Sequence, residues 1–190
     1  LNLPSLFYKI KIMSCDLANG RLEPCKDAVG GLDAIYFINY GDLASVVYDV
    51  TNTDVIDTAN ATSLFKFELK GTNSFEQVVT SNRDAGTTFV EQTLSIQLKK
   101  KDATTLKTVK LLAYGRPHVV VRNRNNQFFL AGLNRGMDLT TANLSEGVAM
   151  GDFNGSTLTL VGMENLPANL IDVVSETALA TAFSATVVTA

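Results

Sequence analysis

The sequence predicts a mainly β domain, an antiparallel β-sandwich or half-barrel with one flanking α-helix over about residues 102–114. Three observations carry this expectation. Apolar and polar residues alternate at strand period in several short runs, one segment shifts to helical spacing, and alternating βα units are absent, which disfavours a doubly wound nucleotide-binding fold. A chain of 190 residues fits one domain with a substantial core. The expected organisation is an N-terminal arm over 1–14, a single domain over 15–172, and a last strand or extended arm over 173–190.

Ile35–Tyr40 and Ser45–Val50 are rich in aromatic and β-branched residues and flank a loop opening with Gly41-Asp42, so they read as a hairpin or as a strand with a loop. The Asp-rich Thr51–Asn60 reads as their polar continuation. In Phe65-Lys-Phe-Glu-Leu-Lys70 the charges occupy every second position, so one face packs and the other is wet. Ser74–Thr80 is expected to pair with that strand across Gly71-Thr72-Asn73. Thr88–Lys99 is a long strand with Val90, Leu94, Ile96 and Leu98 on one face.

From Asp102 the period changes. Leu106, Val109 and Leu112 recur at helical spacing with Lys107 and Lys110 opposite, Asp102 can cap the start, and Gly115 and Pro117 end the helix. His118–Arg122 and Gln127–Ala131 return to strand around the turn-rich Asn123-Arg-Asn-Asn126, a second hairpin. Gly136–Asp172 reads as glycine-hinged strands, with Asn154-Gly155 as a tight turn before the alternating Thr157, Leu158, Thr159 and Leu160. Leu170–Ala190 is small, apolar and threonine-rich without a strong period, which leaves a strand and an arm equally open.

Composition narrows the partners. No apolar run approaches the ~20 residues that cross a bilayer, so no membrane partner is expected. Lys9 and Lys11 follow Leu6-Phe7-Tyr8 without an export signal's apolar stretch, and Met13-Ser14-Cys15 would make an ordinary start, so 1–12 reads as an arm, a processed end or an unusual initiation. Cys15 and Cys25 have no second Cys or His pair at metal-ligand spacing, which favours free thiols in a reducing compartment over a zinc site. Charge is polarised. Lys99–Arg135 holds nine basic residues and one acidic, a local +8 in a chain of net −3, so the remainder carries −11. Gly41–Phe65 holds Asp42, Asp49, Asp54 and Asp57 with no base, and no Lys or Arg follows Gly136. Complementary patches of this kind steer association and fix register.

The search for chemistry yields scaffold residues. His118 is the only histidine and opens a valine-rich strand with no Gly-x-Ser-x-Gly elbow in the chain, so a catalytic triad is not expected. Val29-Gly30-Gly31 lacks the Gly-Lys-Ser/Thr ending of a phosphate loop. Asp152 and Glu164 beside glycine turns read as solvated or capping carboxylates. Lys99, Lys100, Lys101, Arg116, Arg122 and Arg124 near Phe128 and Phe129 could track a nucleic-acid backbone, but a pI near 5.1 weighs against it. Phe65, Phe67 and Phe89 could line a small-ligand barrel; strand aromatics are more often core. No catalytic residue, cofactor or metal is expected.

The order of these elements resembles a known family. Gly30-Gly31-Leu-Asp-Ala-Ile-Tyr-Phe-Ile, Phe75-Glu-Gln, Thr88-Phe-Val-Glu-Gln-Thr-Leu, the lysine-flanked helix, and Gly136-Met-Asp-Leu-Thr through Gly151-Asp-Phe-Asn-Gly-Ser-Thr-Leu-Thr-Leu together look like tailed-bacteriophage virion structural proteins, most like the tail-tube class or a related tail or neck ring protein. The resemblance spans about Met13–Asp172 and rests on a pattern of elements and turns. It implies a tail-tube-like β-sandwich with a flanking helix, in a virion protein made in the bacterial host cytoplasm. It also implies rings, commonly hexameric, that stack with other virion proteins into a DNA conduit, and it brings no catalytic residues. A neck, baseplate or capsid-decorating role is the alternative within the same class. On this reading Lys99, Lys100, Lys101, Arg122 and Arg124 are the candidate subunit-interface residues on one side, facing Asp42, Asp49, Asp54 and Asp57 of another copy.

Overall fold

A computed structural model describes residues 20–189, so the expected arm over 1–14 and Cys15 lie outside the described residues. Two β-sheets and two helices form in the order β1 (Leu32–Ile38), β2 (Ala44–Tyr48), β3 (Val55–Asn60), β4 (Ser63–Glu68), β5 (Ser74–Asn82), β6 (Thr87–Lys99), α1 (Ala103–Tyr114), β7 (His118–Asn123), β8 (Phe128–Ala131), β9 (Asp138–Ser145), β10 (Gly155–Glu164), β11 (Asn169–Ile171), α2 (Glu176–Ala182) and β12 (Thr186–Val188). The larger sheet runs β12-β4-β1-β7-β8-β11-β3-β2 and the smaller β5-β6-β10-β9. The fold is mainly β, a sandwich with α1 at its flank, as the periodicity predicts. Two ladders in the larger sheet, β11 on β3 and β12 on β4, are parallel.

The larger sheet is strongly curled, and connectivity requires it. β3 and β4 stand five places apart, ~24 Å on a flat sheet at ~4.8 Å per strand. Yet only Ala61 and Thr62 join them, a span of roughly 10 Å. The sheet therefore bends until these strands meet, and Ala61 N–H closes the seam by donating to the Phe183 carbonyl at 2.9 Å.

Curling creates two cores. Between the sheets, Ile35 and Phe37 of β1, Val119 and Val121 of β7, Leu94 and Ile96 of β6 and Leu158 and Leu160 of β10 pack together under Val109 and Leu112 of α1. Inside the curl, Tyr36, Ile38, Ile56, Val120, Phe128 and Leu130 surround Leu179 of α2 and Phe183 at its C-terminal end. β1 serves both, alternate side chains going to alternate faces, which is why Leu32–Ile38 reads as a nearly unbroken apolar run.

Local signals hold where the cause is local. The Asp102 carboxylate accepts the Thr105 N–H at 2.6 Å and starts α1, and Gly115 N–H donates to the Leu111 carbonyl at its end. The β7–β8 hairpin forms, with the Asn123 side-chain oxygen accepting the N–H groups of Asn125 and Gln127.

Four expectations are corrected. β1 and β2 make no hairpin, because β1 lies between β4 and β7 while β2 pairs with β3. The Asp-rich segment contains a true strand, β3, anchored by fully buried Ile56. β5 pairs with β6 rather than β4, whose two sides are taken by β1 and β12, so residues 71–73 carry the chain from one sheet to the other. Asn154-Gly155 forms no tight turn. Gly155 opens β10 without a positive φ, and its need for glycine is closeness: a Cβ there would overlap the Leu98 carbonyl oxygen and lie 2.7 Å from the Phe153 ring. The segment beyond residue 172, open between strand and arm, folds as α2 followed by β12.

Candidate functional site

Both edges of the smaller sheet are open. Every residue of β5 except Phe75 is exposed, as is every residue of β9 except Leu139 and Ser145. Neither strand contains Lys, Arg or Pro, and each carries a single charge, Glu76 on β5 and Asp138 at the start of β9, so little blunts either edge against pairing. Among the described residues, β5 makes ladder bonds only to β6 and β9 only to β10, and α1 packs beside β9 without a ladder bond to it. Direction completes the feature. Each step across β5-β6-β10-β9 is antiparallel, so β5 and β9 run in opposite senses, the relation that antiparallel pairing of one with the other requires.

The predicted basic residues gather at one end of the sandwich. Lys99 lines a cleft of about 280 Å³ with Phe67, Glu68, Lys70, Gln97, Leu98 and Thr105. Arg122 lines an adjoining one of about 180 Å³ with Asp33, Lys66 and the shared Glu68 and Lys70. Three of the five have side chains engaged within the chain: Lys101 pairs with Glu146, Arg122 lies 3.5 Å from Asp33, donates to Asn126 and sits over the Phe128 ring, and Arg124 bonds a backbone carbonyl. Arg124 donates to the Gly30 carbonyl at 3.4 Å, and Lys100 N–H donates to the Asn154 carbonyl. The acidic residues sit apart from them. Asp42 lies in the turn beyond the far end of β1, and Asp49, Asp54 and Asp57 lie on the β2–β3 hairpin at the edge of the larger sheet. Asp42, Asp54 and Asp57 are exposed, whereas Asp49 turns inward to accept the N–H groups of Thr51 and Asn52.

Two polar clusters are assembled by the fold from residues distant in sequence. Fully buried Tyr36 donates its hydroxyl to Glu176 on α2 at 3.0 Å, and Lys66 approaches the same oxygen at 2.7 Å. Burial, reinforced by that bond and by the Glu176 charge, pushes the Tyr36 phenol well above its ordinary range. Partial burial of Glu176 opposes ionisation, yet bonds from Lys66 and Tyr36 hold its carboxyl below the usual carboxylate range. The cluster fastens α2 to the curled sheet. The second cluster holds the turn before β9: Gln92 accepts the Gly132 N–H, His118 Nδ1 lies 2.6 Å from the Gly132 carbonyl, and buried Glu164 accepts the N–H groups of Asn134 and Arg135. His118 is buried and stacked on Tyr40, and Glu164 caps a turn, one of the two roles expected for it. Phe65 and Phe67 pack on the inter-sheet core, Phe67 edge-on to Phe37.

No protein-family model, curated protein or solved structure matches the chain.

A functional reading therefore rests on the surface itself: two edge strands of opposite sense with no ladder partner on their outer sides among the described residues, and basic and acidic groups on separate parts of the molecule. The edges could have been suspected from composition, since Ser74–Asn82 and Asp138–Ser145 are strand-like segments without a lysine or proline.

Proposed function

We propose that the chain is the repeating subunit of a ring that stacks into a tube, a virion structural protein of the phage tail-tube kind, acting as a conduit for DNA. The observation that carries this reading is the smaller sheet with two open edges of opposite direction. Laying β9 of one copy against β5 of the next extends the antiparallel order without a break, and a head-to-tail contact of this type closes into a ring when its rotation closes. The resemblance in element order supports the virion assignment, and the polarised charge supports stacking. Lys99 and Lys100 on one copy, exposed at the end of β6, face exposed Asp42, Asp54 and Asp57 on another. Lys101, Arg122 and Arg124, engaged internally, shape that surface rather than meet the partner.

The test is assembly of the purified full chain, followed by sedimentation velocity and negative-stain images over rising concentration. Rings or tubes are expected, and Val78→Lys with Leu144→Lys, one charge on each open strand, should keep the circular dichroism spectrum while abolishing them. Lys100→Glu, outside the cleft that Lys99 lines, should leave rings that stack more weakly. A species of 20.5 kDa that persists at the highest concentration overturns the reading, and complexes formed only with another virion protein would move the chain to a neck, baseplate or decorating role.

A further inference from the structure

The loop between β9 and β10, residues 146–154, is built to project. Val148 and Met150 stand fully exposed, 102% and 110% of the reference values, and touch no core. The turn beneath them is nevertheless tightly specified. The Asp152 carboxylate accepts the N–H groups of Val148 and Ala149 at 2.9 and 2.8 Å, Asp152 N–H returns to the Ala149 carbonyl, and Lys101 pairs with Glu146 at the base. Gly147 adopts φ +73°, and a Cβ there would lie 2.7 Å from that of Asp152. An apolar bump on a preorganised turn fits a socket, because ordering it on binding has little entropy left to lose.

Register says where the socket lies. Ser74, Ser95, Thr159 and Thr141 form one rung of the smaller sheet. The pairing between copies that uses the whole of β9 sets Asp138–Ser145 against Ser74–Ser81, and it places Leu144 beside Phe75 on the core-facing side, where their partners Ser156 and Leu94 are buried. Ser145 then stands opposite Ser74, so the neighbour's loop emerges against residues 70–73 at the rim of the 280 Å³ cleft. The cleft offers apolar Phe67 and Leu98, cationic Lys70 and Lys99, and at its rim Asn73, whose side-chain oxygen accepts the Gln97 N–H while its buried amide nitrogen has no partner. The loop brings Val148, Met150 and the carboxylate of Asp152, and its carbonyls can receive the Asn73 amide.

We infer that the 146–154 loop of each subunit seats Val148 and Met150 in the Phe67–Lys70–Lys99 cleft of the next copy, locking ring neighbours through a knob and socket beyond the strand pairing. This rests on the ring reading, and the test separates the two. On a Cys15→Ser, Cys25→Ser background, full chains carrying Lys70→Cys and Met150→Cys, one with a size tag, are mixed and treated with a short bis-maleimide. A second mixture carries Val78→Cys and Thr141→Cys, which face each other in the register above; all four positions are exposed, so the fold is undisturbed. Mixed dimer in both, at least tenfold above either chain alone, is the expected result. Mixed dimer only from the Val78 and Thr141 pair overturns the knob and socket and leaves the ring standing; none from either overturns both.

Discussion

Phe183→Ala tests whether the end of the chain is a structural plug. Phe183 is fully buried with Leu179 inside the curl, among Tyr36, Ile56, Phe128 and Leu130. The transfer loss for a buried aromatic side chain is about 2–3 kcal/mol. The walls are strands fixed on their other face by the inter-sheet core, so they cannot collapse onto the void, and the total falls in the range of about 3–5 kcal/mol measured for such truncations. The backbone bond from Ala61 to the Phe183 carbonyl is untouched by the change, so the effect reports the ring alone. With a urea slope of about 2 kcal/mol per M, the midpoint should drop by roughly 2 M. The chain has no Trp, so circular dichroism is the suitable probe. A loss below about 1 kcal/mol would refute the plug and make residues 173–189 the accessory arm that the sequence leaves open.

The Tyr36–Glu176–Lys66 cluster sets a pH window. The lowered Glu176 stabilises the fold above the ordinary carboxylate range, and that contribution drains as pH falls through its folded value. The raised Tyr36 and Lys66 contribute fully below about pH 10 and lose that contribution as pH rises through their folded values. Melting temperatures from pH 3 to pH 11 should form a plateau, and Tyr36→Phe should soften its alkaline edge; an alkaline fall identical in both proteins would exclude the phenol as a cause. Gly155→Ala should cost about 1–3 kcal/mol, because the obstruction is the Leu98 backbone rather than a movable side chain, whereas Gly151→Ala, with open space around it, should be neutral within about 0.5 kcal/mol. Equal melting points for the two variants would show that β10 can shift to make room.

What the sequence disclosed follows the range of the forces involved. α1, β4, β6 and the β7–β8 hairpin were legible because capping, alternation and asparagine turns act within a few residues. Pairing partners were not, since β1 joins β7 across nearly half the chain and nothing near Ile35 names Val121 as its neighbour. α2 spans only Glu176–Ala182, too few turns for an apolar period to emerge, although Ser175 is an ordinary cap. The asparagine-glycine pair misled because glycine there answers a packing need across the sheet rather than a backbone need within a turn. Of the candidate site, the charge segregation was readable from composition. That Lys101 and Arg122 spend their charge on Glu146 and Asp33 was not, because those partners are brought close only by the fold.

The strand that sends alternate side chains into separate hydrophobic compartments ties their fates together. Melting either compartment releases β1 and exposes the underside of the other, so neither persists alone and the domain should unfold cooperatively, in one calorimetric step. In the ring we propose, a subunit of that kind yields under load by breaking contacts with its neighbours before it softens inside.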